Sequence, residues 1–196
     1  MTRRIVVMLG ALLLVAAAMG IYAWRLHKKV TAEEERLQLQ QENAAPPANG
    51  PTATVTLFLA SDANATLYKK QISIPLPAER SEQARAILRA LFGTYLQSGS
   101  PHPIGAGADI REVYLLNDGS AVVDTNAAFA DAHPSGVLAE ELTITSVVAT
   151  LNANDAKINR VKIIVNGAER DTLAGHADLR RFYLASNMGQ LAKELQ

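Results

Sequence analysis

The chain has 196 residues, 48% of them hydrophobic, with 19 Lys and Arg against 19 Asp and Glu, 4 His and no Cys. Zero cysteine excludes disulfide staples, thiolate zinc sites and a cysteine nucleophile. Once an apolar N-terminus is set aside, one domain of ordinary size remains, with 12 basic and 14 acidic side chains interspersed between Pro51 and Ser186, which disfavours a nucleic-acid partner.

In chain order, the first segment is Ile5 to Trp24, twenty residues without a charge. At about 1.5 Å per helical residue it spans about 30 Å, the thickness of a bilayer's hydrocarbon core. Arg3 and Arg4 precede it, and Tyr22, Trp24, Arg25, Lys28 and Lys29 follow, placing amphipathic rings and cations at headgroup depth. Residues 1–29 thus predict a membrane anchor with its flanks. Ala16-Ala17-Ala18 offers a signal-peptidase site as the alternative. Basic residues on the two sides nearly balance, so charge alone leaves the orientation open. Residues 30–51 read as a polar stalk and a Pro-rich linker, Leu26, Val30 and Leu37 being too few apolar heptad positions for a sustained coiled coil.

Residues 52–186 predict one α+β domain, with 187–196 as a tail. Thr54 to Leu59 and Leu67 to Ile74 alternate as a hairpin about Ser61-Asp62-Ala63-Asn64. Ser81 is the expected cap of a helix with apolar residues at Ala84, Ile87, Leu88, Leu91, Phe92, Tyr95 and Leu96, weakened at Gly93. Ile110 to Leu116 and Ala121 to Asp124 flank Asn117-Asp118-Gly119-Ser120, the clearest hairpin signal in the chain. A second helix is expected from Val137 to Leu151, capped by Ser135, and Val161 to Val165 reads as a buried strand ended by Asn166-Gly167. Asp178 to Leu184 is expected to be a short helix or irregular cover. The order ββαββαβ predicts about five strands in one sheet with two helices on one face, a two-layer arrangement.

Candidate chemistry is sparse. The spacings that bind phosphate, dinucleotide or catalytic zinc are absent. Asp131-Ala132-His133 is a candidate metal-ligand pair, but His102, His133 and His176 all fall in predicted loops and are expected to be solvated. Glu141 falls inside the apolar arc of the second helix, beside Val137, Leu138, Ile144, Thr145 and Val148, and predicts a buried polar anchor; Glu140 is expected at a solvated rim. A rival reading, a module that binds or hydrolyses cell-wall glycan or peptide, would place Glu141, Asp124 or His133 in an open site.

Asn117 to Asp124, Phe129, Glu141, Ser146 to Leu151 and Val161 to Gly167 together resemble the GerMN domain in order and spacing, over roughly Thr54 to Phe182. Thr150-Leu151 near a helix end, followed by a Val-rich strand closing on Asn-Gly, is the most specific part. That family is known from spore-formation and germination proteins and from other anchored envelope proteins. The resemblance implies an extracytoplasmic domain on an inner-membrane anchor at residues 5–24. It also implies a non-enzymatic protein-interaction or assembly role with envelope partners or further copies, and no catalytic residue, cofactor or metal.

Overall fold

A computed structural model describes residues 51–187; the anchor, nearly all of the stalk and linker, and residues 188–196 lie outside the described residues. Among the described residues no helix is long and apolar enough to cross a membrane.

The chain begins with a long ribbon, β1 (Thr52–Ser61) and β2 (Thr66–Pro75), paired antiparallel over ten residues each. Helix α1 (Arg80–Tyr95) follows. Of its expected face, Ala84, Ile87, Leu88, Leu91, Phe92 and Tyr95 are buried while Leu96, the C-cap residue, is exposed, and the helix runs through Gly93 unbroken. Glu79, not Ser81, caps it, its carboxylate accepting from the backbone N–H of Ser81 and Glu82.

Strands β3 (Ile110–Leu115) and β4 (Ser120–Thr125) form the second hairpin. Gly119 is needed there twice over. Its φ is +84°, and a Cβ would stand 2.5 Å from the Asn159 side-chain nitrogen and 2.8 Å from the Lys157 carbonyl oxygen. A five-residue helix α2 (Ala127–Asp131), absent from the sequence expectation, is capped by Asn126 and buries Phe129 against Phe92. Helix α3 (Val137–Asn154) then carries the chain to β5 (Arg160–Val165), which pairs parallel to β4; residues 178–182 are irregular, one of the two forms expected there, and the short β6 (Tyr183–Leu184), which was not expected, closes the sheet.

The five predicted strands exist, but not as one sheet. They divide into the ribbon β1-β2 and a four-stranded sheet in the order β3-β4-β5-β6. The division has a side-chain cause. Phe58 N–H donates to Thr150 Oγ1 (3.0 Å) and Phe58 O accepts from Ser146 Oγ (2.6 Å), while Thr56 exchanges bonds of 3.0 and 2.7 Å with the Asn154 amide. Ala60 N–H donates to the Tyr95 hydroxyl at 2.8 Å. The edge of β1 that would have joined the larger sheet is thus satisfied by a column of polar residues on α3 and by Tyr95.

Helix α3 is buried around most of its circumference, every residue from Leu142 to Val148 included. It shares one hydrophobic core with Leu57 and Leu59 of the ribbon, Leu88 and Leu91 of α1, and Val113, Val123 and Ile163 on the inner face of the sheet. The expectation of two helices lying on one face of one sheet is corrected accordingly: α3 has strand β1 along one side and the core along another, with Val137 and Ala153 exposed near its two ends.

Candidate functional site

The start of α3 gathers most of the buried ionisable chemistry. Gly136, the N-cap residue, has no side chain to bond with, and Ser135 does not cap the helix as expected. Glu140 serves instead. Its side chain is completely buried, one oxygen accepting from Gly136 N–H (3.1 Å) and His176 Nδ1 (2.8 Å). The other accepts from the backbone N–H of Ala174 (3.1 Å), His176 (2.9 Å) and Ala177 (2.8 Å). Burial pushes the carboxyl up, but the hydrogen bonds from Ala177, His176, Ala174 and Gly136 outweigh it and hold the group at about 2. One carboxylate therefore fixes the 174–177 loop to the head of the helix.

This reverses the assignment of the two glutamates. Glu140, expected at a rim, is the anchor. Glu141 keeps part of its surface, meets Arg181 at 3.6 Å, and leaves Oε2 buried without a hydrogen-bond partner among the described residues. Burial pushes its carboxyl up despite Arg181. The physical reason is that α3 has no single apolar arc: Val137, used to define one, is exposed, whereas the polar Thr143, Ser146 and Thr150 are buried.

One turn further on, Thr143 receives two imidazoles. His102 Nε2 lies 2.6 Å and His133 Nε2 2.8 Å from Thr143 Oγ1, whose hydroxyl also reaches Ala139 O at 3.1 Å. His102 Nδ1 lies 2.5 Å from Asp62 Oδ1, and His133 Nδ1–H donates to Pro134 O at 2.8 Å. Tyr95 and Phe129 pack edge-on against the two rings. Burial and the neighbouring His102 lower the His133 pKa, with the bond to Pro134 opposing. The expectation that His102 and His133 are solvated loop residues is corrected: both are buried, because each loop folds back to satisfy a helix hydroxyl. His176 keeps substantial exposure beside Glu140.

Asp62, His102 and Thr143 form a carboxylate, imidazole and hydroxyl series of the kind that activates a nucleophile. Thr143 has 0% of its surface exposed, so no substrate carbonyl can approach Oγ1; the series ties the 62 and 102 loops to α3. The other candidates stand apart. Asp131 pairs with Arg170 on the surface (2.6 Å) and does not join His133. Asp124 accepts from Gly167 N–H (2.8 Å) and faces Arg111 at 3.4 Å, stabilising the Asn166-Gly167 turn, where φ is positive at both residues. Glu141, Asp124 and His133 are thus held by three separate sets of partners. Among the described residues no group of three or more His, Asp or Glu side chains is placed to hold a metal ion.

What the fold leaves open is surface. With Val113, Val123 and Ile163 facing the core, the alternate cross-strand rows point the other way: Tyr114, Val122 and Lys162 in one, Arg160 and Leu184 in the next, with Ser120 of that row buried and bonded to Arg160. Tyr114, Leu116, Phe182 and Leu184 are 38 to 52% exposed there. Arg160 and Lys162 flank the Phe182 ring, 5.1 and 5.9 Å from its centroid. Their charges are already paired, Arg160 with Asp118 and Lys162 with Glu169. Sequence reading missed this face because alternation marks which residues point outward, not whether a helix covers them.

Comparison with known proteins agrees with the resemblance seen in the sequence. Among curated proteins, none matches the chain. A putative lipoprotein from Clostridium perfringens is similar at 17% identity and a TM-score of 0.47, over 73% of this chain and 93% of that one. The first GerMN domain of the sporulation protein GerM from Bacillus subtilis is similar at 19% identity and a TM-score of 0.44, over 65% of this chain and 92% of that one. The tandem GerMN domains of the same protein match at 23% identity and a TM-score of 0.45, over 66% of this chain and 44% of that one. The model of the Germane family, described as sporulation and spore germination, matches residues 56–171. That stretch is more than half of the chain and runs from β1 past β5, so the protein belongs to the Germane family, whose members carry GerMN domains.

Proposed function

We propose that this protein is a non-enzymatic interaction module of the bacterial cell envelope, held at the inner membrane by residues 5–24 with its Germane domain outside the cytoplasm. One observation carries the reading: an outward sheet face on which four large apolar side chains, Tyr114, Leu116, Phe182 and Leu184, stand among internally neutralised charges. Such a face buries apolar area on contact without stranding a charge, which suits a protein surface. The rival reading, binding or hydrolysis of cell-wall glycan or peptide, finds less support, since its candidate residues have separate structural partners.

The test is photocrosslinking in membranes. With a photoreactive side chain placed at Tyr114 or Leu184 of the full-length protein, discrete protein adducts are expected, and none from the same group at Ala153, which is exposed on α3. A reporter active only outside the cytoplasm, fused after Gln196, is expected to work. Equal adducts from both surfaces, or reporter activity confined to the cytoplasm, would overturn the proposal.

A further inference from the structure

The two edges of the ribbon are treated oppositely by the rest of the molecule. On β1, the outward backbone groups belong to Thr54, Thr56, Phe58 and Ala60, and the last three of these residues are bonded to α3 or Tyr95. In an antiparallel pair, residues opposite one another direct their N–H and C=O groups either both inward or both outward. The register pairs Thr56 with Gln71, Phe58 with Lys69, Ala60 with Leu67 and Thr54 with Ser73. It follows that Leu67, Lys69, Gln71 and Ser73 turn their backbone groups away from β1, along the far edge of β2. Among the described residues no other strand lies there and no hydrogen bond uses those groups.

A row of four residues with unpaired donors and acceptors is a template for a further strand. Its side chains say which kind. Lys69 and Lys70 are adjacent, and neighbours in a strand point to opposite faces, so one ammonium group stands on each side of the edge. Lys69 lies over the Phe58 ring at 5.4 Å, and neither lysine has a carboxylate partner among the described residues. Elsewhere on the domain most basic side chains are paired, including Arg80, Arg85, Arg89, Arg111, Arg160, Lys162 and Arg170. The unneutralised pair thus sits beside the unpaired backbone. A second copy of the same edge is a poor occupant, because pairing two β2 strands about this stretch gathers four lysines.

We propose that the free edge of β2 is a docking site for an extended acidic segment of a partner protein, which adds as a third strand and sets its carboxylates against Lys69 and Lys70. The assignment rests on the interaction role proposed above, but it concerns a different surface and stands on its own test.

The probe is a fluorescein-labelled ten-residue peptide of Thr and Val with two adjacent central glutamates, compared with Gln-Gln and Lys-Lys versions, against the full-length chain in neutral detergent. The Glu-Glu peptide is expected to bind at least ten-fold more tightly than the Gln-Gln peptide by anisotropy, and to slow amide exchange specifically in residues 66–75. Lys69→Glu/Lys70→Glu, two exposed changes outside the core, should transfer the preference to the Lys-Lys peptide. Gln71→Pro, which removes one outward N–H, should weaken binding whatever the central pair. Equal binding of the three peptides, no binding, or protection outside 66–75 would overturn the proposal. So would self-association through this edge. Protection of 66–75 in the peptide-free chain that disappears on Glu33→Gln/Glu34→Gln/Glu35→Gln would assign the edge to the chain's own stalk instead. If the peptides fail while adducts still form from Tyr114, the edge falls and the interaction role stands.

Discussion

Glu140 makes the sharpest demand on the fold, and replacing it tests the argument that a single buried carboxylate holds the 174–177 loop to α3. In Glu140→Ala, four backbone N–H groups, those of Gly136, Ala174, His176 and Ala177, lose a wholly buried acceptor in a site that solvent borders only at the 175–176 turn. Unsatisfied buried donors cost about 1 to 3 kcal/mol each when dry. Water entering the space left by the carboxyl recovers part of that, so a net loss of about 3 to 5 kcal/mol is expected. Glu140→Gln keeps the shape and can still present one carbonyl oxygen to the three loop donors. It gives up the charge and the bond from Gly136, and about 1 to 2 kcal/mol is expected. The pH dependence is the stricter test. The folded carboxyl, at about 2, lies below its ordinary 4.5. Its contribution is therefore fully present above pH 4.5 and is lost as pH falls from there through about 2. The full shift corresponds to about 3 kcal/mol, nearer 2 once screening by the solvent around His176 is allowed for. Urea midpoints of wild type and Glu140→Gln, measured between pH 7 and 2, should converge as the acid limb is crossed. Parallel curves, or a Glu140→Ala protein as stable as wild type, would refute the anchor.

Four further outcomes follow from the same geometry. Glu141→Gln should leave stability unchanged or raise it by up to about 1 kcal/mol, because the native carboxylate already has an orphaned buried oxygen; a loss above about 1 kcal/mol in the same urea assay would show a partner for that oxygen. Gly119→Ala should cost at least about 1 kcal/mol and weaken protection of the Asn159 amide, which donates to Gly119 O. Thr150→Val should cost about 1 to 2 kcal/mol and speed exchange at the Phe58 amide specifically, since that N–H loses its acceptor. Because burial holds the folded His133 pKa below its ordinary 6.5, stability should decline as pH falls through 6.5 toward the folded value, and His133→Asn should flatten that segment of the curve.

Local signals are legible where one short stretch determines its own geometry. Asp118-Gly119 forces the β3-β4 turn through positive φ, and the period of Ala84, Ile87, Leu88, Leu91, Phe92 and Tyr95 gives the buried face of α1 without reference to anything else. Where tertiary partners decide, the sequence alone does not show the outcome. Glu140 and Glu141 differ by one helical step of about 100°, and only the 174–177 loop, distant in sequence, tells which one is bonded. His102 and His133 sit in loops rich in Pro and Gly, which composition alone marks as solvated. The Thr143 hydroxyl that buries them lies 41 and 10 residues away. The separation of the ribbon from the larger sheet was hidden for the same reason, since Ser146, Thr150 and Asn154 look like ordinary polar positions on a helix until a strand edge is laid beside them.

That column of helix residues also works as a ruler. Ser146, Thr150 and Asn154 advance about 6.0 Å per step along α3, while alternate residues of β1 advance about 6.7 Å. The two scales run in opposite chain directions, Thr56 beside Asn154 and Phe58 beside Thr150 and Ser146. Three helical rungs, about 12 Å from Asn154 to Ser146, therefore serve two strand residues about 6.7 Å apart, Thr150 taking the N–H of Phe58 and Ser146 its carbonyl. The next helical rung, Leu142, has nothing to offer, and Ala60 turns to Tyr95 of another helix. The helix therefore stands in for a neighbouring strand over two outward residues of β1, Thr56 and Phe58, and Tyr95 takes the third. Single-residue insertions between Ser146 and Asn154 would uncouple the ribbon, whereas the Asp62–Ala65 turn can change length without disturbing the match.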